Sequence, residues 1–576
     1  MKSFFYNFKM LWKYAKEEKK LIVKSVIFNI LFIAIRISVI LVSAKLIIKL
    51  TDNDMWGLLF TALIVFAVEL SHNTIYYFLN GCYQKIYKNL FKGLQSELSE
   101  EILKIENECL DRNSSGVFIQ RITSDTNNLA SSFKDFLSIL GQLLSDIGIY
   151  ITIFILNKYA FLYFVICTVI IFIIALKKEK KYSQKEKVFK EENEKTTSFI
   201  SEIVRGSKDI KMLNAYSSFK EILNNKVENL NMKRYELDGT KRIWDLLFWY
   251  AIFAYKFLLI GLIVLLINNA LTTIEVALIL YNSMSKVTDF IKNSGELFKI
   301  IKGFNLSCER IFSIMDDKKF SKEKFGTKHL NEINGNFEFN DVSFSYTDGK
   351  QVLSKMSFKV DSNETVAFVG KSGVGKSTIF SLLCKMYNNY DGEIKIDGVN
   401  IKELDRDSIR GNITIISQNP YIFNMSIKDN LKLVKKDLTD KEMIDACKLV
   451  CLDEFINTLP DKYNTIVGES GVMLSGGQKQ RLAIARALIQ KTEIILFDEA
   501  TSALDNETQL QIQNAIDSMK KEYTILIIAH RLSTIKNADR ILFISDGKVL
   551  DEGTHEELLM SCKEYKNLYE AELIKS

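Results

Sequence analysis

The strongest constraint on the fold is a series of long apolar segments in the first half of the chain. A helix that crosses a bilayer needs about 20 mostly apolar residues. Segments of this length and composition recur up to about residue 294, so the sequence predicts a membrane domain. We expect six spanning helices, at roughly 21–47, 56–79, 136–156, 159–178, 246–268 and 272–294.

Ionisable side chains interrupt several of these spans. Arg36, Glu69 and Lys256 lie inside apolar segments, where charged groups are costly and tend to face an interior cavity. Contact with a substrate, structural ion pairs and snorkelling near a helix end all stay open for them. The sixth span has the pattern of an amphipathic helix facing a polar cavity, because it contains Glu275, Asn282, Lys286 and Asp289.

Lysine asymmetry predicts the orientation of the spans. The N-terminal elbow segment, 1–20, is rich in lysine, and a second basic stretch, 177–181, follows the fourth span. The connection at 51–54 carries no positive charge. Because positive charge accumulates on the cytoplasmic side, both termini are expected in the cytoplasm.

The two connections on the cytoplasmic side are long, at roughly 80–135 and 179–245, and both are helical and charged in pattern. We therefore expect the second to fifth helices to continue well below the membrane. Such extensions end in short turns, and the turns at 111–115 and 214–218 are predicted to contact a cytoplasmic domain.

A phosphate-binding loop follows a charged stretch, 318–331, which we expect to be flexible. The apolar strand 365–369 leads into the motif GxxxxGK[ST] at 370–378, and a helical segment comes next. Glycines let backbone N–H groups wrap the phosphates, Lys376 neutralises them, and the Ser377 hydroxyl faces Mg²⁺. The loop residues predicted to bind ATP are Gly370, Ser372, Gly373, Gly375, Lys376, Ser377 and Thr378.

Two later strands end in residues suited to phosphoryl transfer. Strand 493–497 precedes Asp498, a predicted Mg²⁺ ligand, and Glu499, a predicted catalytic residue that orients the attacking water. Strand 524–529 precedes His530, which we predict senses the γ-phosphate as a further catalytic residue. Together with the loop, these strand ends predict an ATPase that uses ATP and Mg²⁺.

The segment Leu474–Gln478, LSGGQ, begins a helical run just before strand 493–497, and the sequence therefore resembles ATP-binding cassette proteins. The resemblance covers essentially the whole chain. It implies that Tyr346 stacks on adenine and that Gln418 is a catalytic residue linking metal, water and membrane domain. It also implies further nucleotide contacts from Ser475, Gly476, Gly477, Gln478 and Asp505.

The resemblance is to the exporter-type half-transporters of this family. The loop 465–471 is similar to one found in that branch, although Ser470 departs from its usual pattern. The implied fold is multi-domain: an all-α six-helix transmembrane domain with long cytoplasmic extensions, then an α/β P-loop ATPase domain. We predict a transmembrane domain at 21–317, a linker at 318–333 and a nucleotide-binding domain at 334–576.

The resemblance also implies a swapped dimer with twelve membrane helices, in which each ATP lies between two cassettes. A second half-transporter is therefore the expected partner. A homodimer is favoured, because the motifs of this chain are intact, and a heterodimer is the alternative. Membrane lipid is a further expected partner. No nucleic-acid partner is expected, since the net charge is only +6 and no basic arm is present.

ATP-driven export of a peptide, lipid or hydrophobic small molecule by alternating access is the predicted function. The expected location is the plasma membrane of a bacterial cell, with the nucleotide-binding domain in the cytoplasm. An importer built on the same fold, with siderophore-like cargo, is one alternative. A membrane sensor whose ATPase reports a ligand is another.

Overall fold

The computed structural model describes residues 2–15, 18–52, 54–113, 115–346, 349–468, 471–498, 513–514, 516–528 and 536–573. The chain divides into two compact units. The membrane unit comprises Met1–Leu103 and Ser115–Lys319, and the ATPase unit comprises Lys104–Ser114 and Phe320–Ser576.

The membrane unit is built from helices. Helix α2 packs on α3, α7 on α9, and α6 on α11. A π-helical turn at Arg121–Asp125 precedes α6, and a 3₁₀ turn at Ser283–Ser285 separates α10 from α11. The helices are α1 Lys2–Ala15, α2 Lys19–Thr51, α3 Met55–Leu103, α4 Asn107–Arg112 (part of the ATPase unit), α5 Ser115–Gln120, α6 Thr126–Leu156, α7 Lys158–Arg205, α8 Ser207–Met212, α9 Tyr216–Asn268, α10 Ile274–Asn282 and α11 Lys286–Ile314.

Five described helical segments are long and apolar enough to cross a membrane, judged by length and composition. Helices α3, α7 and α9 are 49, 48 and 53 residues long. Each is far longer than a span requires, which confirms the predicted helical extensions. The five segments are Lys19–Leu50, Met55–Leu103, Ser115–Leu156, Lys158–Arg205 and Tyr216–Asn268.

The predicted sixth span, 272–294, is divided between α10, the 3₁₀ turn and the start of α11. Ser283 Oγ donates a hydrogen bond to the carbonyl oxygen of Ile279, 2.8 Å away. A hydroxyl that bonds to the carbonyl four residues earlier competes with the helical ladder and tends to bend it. The 3₁₀ turn at Ser283–Ser285 thus divides what the apolar pattern presents as one helix.

A capped turn joins α6 and α7. Asn157 Oδ1 accepts a hydrogen bond from the Ala160 amide at 3.0 Å and supplies the N-cap of α7. Its Nδ2 donates to the carbonyl oxygen of Leu271 at 3.1 Å. One side chain thus satisfies the helix start and ties it to the α9–α10 connection.

The ATPase unit contains a four-stranded antiparallel sheet in the order β2-β1-β4-β5 and a six-stranded sheet in the order β12-β11-β3-β10-β9-β6. In the larger sheet β11, β3, β10, β9 and β6 are parallel, and β12 pairs antiparallel with β11. The strands are β1 Phe337–Ser345, β2 Gln351–Val360, β3 Thr365–Val369, β4 Asp391–Ile396, β5 Val399–Asn400, β6 Ile413–Ile416, β7 Met425–Ser426, β8 Ile466–Val467, β9 Ile494–Asp498, β10 Thr524–Ile528, β11 Arg540–Ser545 and β12 Lys548–Gly553.

Helices cover the parallel sheet, so its central strands are buried on both faces. On β3, Val366 and Phe368 belong to one core cluster, whereas Ala367 and Val369 belong to the other. Side chains alternate across a strand, which explains why β3 is apolar throughout instead of alternating in polarity. The helices of this unit are α4, α12 Lys376–Leu383, α13 Arg406–Arg410, α14 Ile427–Lys432, α15 Asp440–Leu449, α16 Asp453–Thr458, α17 Gly476–Gln490, α18 His555–Ser561 and α19 Lys563–Leu573.

The charged stretch before β1 is docked on the ATPase unit. Phe320 and Ile333 are buried. Arg410 donates two hydrogen bonds to Glu323, at 2.6 and 2.9 Å. The expectation of a flexible linker is therefore wrong at these positions, because a bidentate ion pair and two apolar side chains hold it.

Candidate functional site

The phosphate-binding loop lies between β3 and α12, as the sequence predicts. Gly373 and Gly375 adopt positive φ values of 82° and 103°, a backbone region that L-residues with side chains rarely occupy. A Cβ on Gly370 would lie 2.3 Å from the Ile544 carbonyl oxygen. Glycine is therefore required at Gly373 and Gly375 by the backbone conformation, and at Gly370 by the close approach of β11.

Lys376 is buried at the first position of α12. Its ammonium group donates to the carbonyl oxygens of Gly370 and Lys371, at 2.8 and 3.0 Å. These bonds hold the positive charge inside the curve of the loop. The helix N-terminus adds further favourable field for an anion at the same place.

The two predicted metal ligands of the loop and of β9 lie together. Ser377 Oγ donates to Asp498 Oδ1 at 2.9 Å. Strands β9 and β3 both run parallel to β10, with Ile528 opposite Asp498 on one side and Phe368 on the other. The parallel sheet therefore brings residues 121 positions apart in the sequence to one edge.

Gln418 follows β6, whose Ile416 pairs with Phe497 of β9. Its carbonyl oxygen accepts a hydrogen bond from Gln480 Nε2 at 3.0 Å, and Gln480 is buried on α17. This bond fixes the backbone at Gln418 beside the strand end that carries Asp498. The sequence gives no specific signal for Gln480, because it lies in an ordinary helical stretch after the signature residues.

Tyr346, the predicted adenine contact, follows β1 directly. Its hydroxyl group lies 3.0 Å from Thr378 Oγ1, so the structure brings it to the first turn of the loop helix. The ring packs edge-on against Phe344 and Tyr387, with centroids 4.9 and 5.5 Å away. About a third of Tyr346 stays exposed, which leaves ring surface available for stacking.

The signature residues begin α17. Ser475 caps the helix, and the capping box is reciprocal: the Gln478 amide donates to Ser475 Oγ at 3.3 Å, and the Ser475 amide donates to Gln478 Oε1 at 2.9 Å. A Cβ on Gly476 would meet no atom within 4 Å. The helix start is therefore rigid, and the space over Gly476 is open within the described part of the chain.

Several predicted residues lie outside the described part of the chain. These are Glu499, Asp505, His530 and the loop position Ser470. Their roles remain predictions from the sequence.

Of the turn predicted at 111–115 to contact a cytoplasmic domain, the part up to Ser114 belongs to the ATPase unit, whereas Ser115 belongs to the membrane unit. Tyr387 donates to Asp111 at 2.7 Å, and Asn388 donates to Glu106 at 3.3 Å. Burial and the Asp111 carboxylate raise the pKa of the Tyr387 hydroxyl, so it stays protonated as a donor. Sequence analysis missed Tyr387, because it follows α12 without any motif.

Lys104–Ser114 also joins the ATPase unit through its backbone. The Glu106 amide donates to the Ser321 carbonyl oxygen at 3.0 Å, and the Glu323 amide donates to the Lys104 carbonyl oxygen at 2.8 Å. The fold and the site together define a class: a P-loop ATPase built into the same chain as a set of membrane-length helices.

Comparison with known proteins gives the family. The description "ABC transporter transmembrane region" matches residues 22–288, and "ABC transporter" matches residues 353–502. The uncharacterized ABC transporter ATP-binding protein YknV of Bacillus subtilis is 31% identical over 502 residues, covering 84% of this chain and 80% of that protein. The chain belongs to the ABC transporter family, and it is an integral membrane ATPase of the exporter type.

Other relatives include the ATP-dependent lipid A-core flippases. The one from Haemophilus influenzae is 31% identical over 516 residues, which is 88% of this chain and 87% of that protein. The one from Salmonella typhimurium is 29% identical over 524 residues, or 90% and 89%. The predicted family, fold class and ATPase activity are thereby confirmed.

Proposed function

We propose that this chain is one half of a dimeric exporter, in which ATP hydrolysis moves an amphipathic or hydrophobic molecule across the membrane. Its cargo class is a lipid, a peptide or a hydrophobic small molecule. The contact between Ser377 Oγ and Asp498 Oδ1 at 2.9 Å supports ATP hydrolysis, because the two proposed metal ligands lie side by side. The relationship to lipid A-core flippases supports export as the direction.

The oxygen set at this centre fits Mg²⁺. A hydroxyl and a carboxylate oxygen lie side by side, and Mg²⁺ prefers oxygen ligands shared between carboxylates and substrate phosphates. Ser377, Asp498 and Gln418 would hold the ion, and a bound Mg²⁺ would neutralise charge on the β- and γ-phosphates.

The protein groups divide the remaining work. The loop amides and Lys376 bind the phosphates, and the exposed face of Tyr346 stacks on adenine. Glu499 orients the water for in-line attack, and His530 contacts the γ-phosphate. In the dimer, Ser475 and the open start of α17 would close over an ATP held by the partner chain, and Asp505 would lie at the interface.

Mixed dimers test the composite site. Each homodimer, Ser475→Arg or Lys376→Ala, should have little ATPase activity, since both of its sites are damaged. A mixed dimer of the two chains should recover up to about half of the wild-type rate, because one site is then intact. A mixed dimer as inactive as both homodimers would contradict a site shared across two chains.

Transport in inside-out membrane vesicles tests direction. A fluorescent amphiphile should accumulate inside the vesicles when ATP is added, and Lys376→Ala vesicles should not accumulate it. ATP-dependent loss of preloaded amphiphile would indicate import instead. Vigorous ATPase activity without movement of any tested lipid, peptide or dye would favour the sensor alternative.

A further inference from the structure

Five charged or polar side chains from helices α2, α6 and α11 meet in the membrane unit. We call Arg36, Asp146, Lys286, Asp289 and Asn293 the intramembrane charge cluster. Arg36 lies near the middle of α2 and Asp146 within the apolar part of α6, while the other three lie on the first turns of α11. Ionisable groups at such depth are costly, and they commonly mark a pathway for a polar or charged substrate.

Asp146 is the buried carboxyl group of the cluster. Its side chain is fully buried, and Arg36 Nη2 lies 3.2 Å from Oδ1. Asn293 Nδ2 donates to its other oxygen, Oδ2, at 2.8 Å. Asp146 thus accepts a hydrogen bond from Asn293 on Oδ2 and faces Arg36 in an ion pair on Oδ1, so two different helices hold this carboxylate.

Asp289 is held differently. Lys286, one turn earlier on α11, donates to it at 3.1 Å. Arg36 Nη2 lies 3.7 Å away, beyond hydrogen-bonding distance and farther than it lies from Asp146. The Asp289 side chain is 39% exposed, against 17% for Arg36 and 16% for Lys286. Asp289 is therefore the more accessible of the two carboxyl groups, and it accepts a hydrogen bond from Lys286.

The cluster is rich in hydrogen-bond donors. Arginine carries five N–H donors and a protonated lysine three. Among the described residues, the side chain of Lys286 donates a hydrogen bond to Asp289, and the Arg36 side chain makes an ion pair with Asp146. If the Asp289 side chain rotates away from Lys286 toward solvent, the remaining formal charges sum to one net positive charge. They come from Arg36, Lys286 and an ionised Asp146. A ligand that fits this arrangement brings acceptor oxygens and a negative charge.

A hydrocarbon-lined cavity of about 500 Å³ borders α6, α7 and α11. Ile147 of α6, Phe161 of α7 and Phe290 of α11 are among the residues that line it. Its polar groups, the hydroxyls of Tyr150 and Thr168, bond to each other at 2.6 Å. The cavity is therefore suited to an alkyl chain, which needs no hydrogen-bond partner.

We infer that the intramembrane charge cluster binds the anionic headgroup of an amphiphilic substrate, with Arg36 and Lys286 as ligands and Asp289 as the carboxylate that the headgroup displaces. The headgroup chemistry is a phosphate, sulfate or carboxylate. This inference rests on the proposed transport function and names the substrate class that would use it. It assigns Asp289 the role of a competitor for the site.

ATPase activity of the full chain in lipid nanodiscs tests the inference. Phosphatidylglycerol added to a phosphatidylcholine bilayer should stimulate the wild-type ATPase. Lys286→Met should raise the phosphatidylglycerol content needed for half-maximal stimulation by about tenfold or more, since a charged donor is lost. Asp289→Asn should lower that content several-fold, because the competing charge is gone. Lys45→Met, at an exposed position on α2, makes the same charge change as a control and should resemble wild type.

Basal ATPase activity in pure phosphatidylcholine is measured for each variant, and the stimulation by phosphatidylglycerol is expressed relative to it. If the wild-type protein had no ATPase activity in pure phosphatidylcholine, that result would contradict the proposed function and would leave the role of the cluster as a separate question. Soluble glycerol phosphate, added in a separate arm, distinguishes a free anion from a lipid headgroup, and stimulation by either supports the shared chemistry. The inference would be overturned if phosphatidylglycerol gave no more ATPase activity than phosphatidylcholine alone. It would also be overturned if Asp289→Asn needed more phosphatidylglycerol than wild type for half-maximal stimulation.

Discussion

Substitution of Gly375 by alanine should damage the phosphate-binding loop by an amount that the structure allows us to work out. Gly375 has a φ of 103°, and an added Cβ would lie 2.7 Å from Leu353 Cδ2 and 3.2 Å from the Val352 carbonyl oxygen. Positive φ costs an L-residue about 1–2 kcal/mol, and overpacking adds about 1–3 kcal/mol. The combined cost is therefore about 2–5 kcal/mol.

The loop can relieve this cost by moving away from β2, which displaces the amides that would face the phosphates. We expect Gly375→Ala to weaken ATP binding by about 30-fold or more, since 1.4 kcal/mol corresponds to a factor of ten. Gly398 offers a matched control, because its φ is 77° and an added Cβ would meet nothing within 4 Å. Gly398 lies in the β4–β5 turn. Gly398→Ala therefore introduces the same backbone strain from positive φ, but its Cβ does not clash with a neighbouring strand.

The assay is equilibrium binding of a fluorescent ATP analogue to the purified full chain, with a thermal melt of each variant. Gly398→Ala should melt earlier than wild type and bind the analogue with unchanged affinity. Binding by Gly375→Ala within about threefold of wild type would refute the argument that this glycine is needed for close packing against β2.

Three further outcomes follow from the site. Lys376→Ala should weaken ATP binding by about tenfold or more, whereas Lys371→Ala, an exposed lysine on the same loop, should not; titration with the fluorescent analogue compares them. Glu499→Gln should retain ATP but hydrolyse it about 10²–10⁴-fold more slowly, as measured by phosphate release beside bound-nucleotide content. Tyr387→Phe should speed hydrogen exchange in Lys104–Ser114 several-fold, because it removes the donor to Asp111 while preserving the ring; unchanged exchange would mean that this bond does not hold the segment.

The ATPase site was largely predictable because its signals are local. A loop of fixed spacing stands between a strand and a helix, and the carboxyl ends of parallel strands meet at one edge. The pairing of Ser377 with Asp498 follows from those two rules, and the structure places them together.

Other features depend on tertiary packing and leave no such pattern. Arg36 appears in the sequence only as an ionisable residue in an apolar run, and its pairing with Asp146 joins helices more than a hundred residues apart. Tyr387 meets Asp111 across 276 residues. Hydropathy likewise does not register the 3₁₀ turn at Ser283–Ser285 that divides the predicted sixth span.

The membership of Lys104–Ser114 in the ATPase unit bears on how this protein can be taken apart for study. A gene fragment that starts at Phe320 omits these eleven residues, which come from between two membrane-unit helices. Such a fragment would expose the backbone of Ser321 and Glu323 as an unpaired edge. Supplying the missing piece as a fused peptide, placed ahead of Phe320 through a short linker, should give a soluble fragment that aggregates less than the simple truncation.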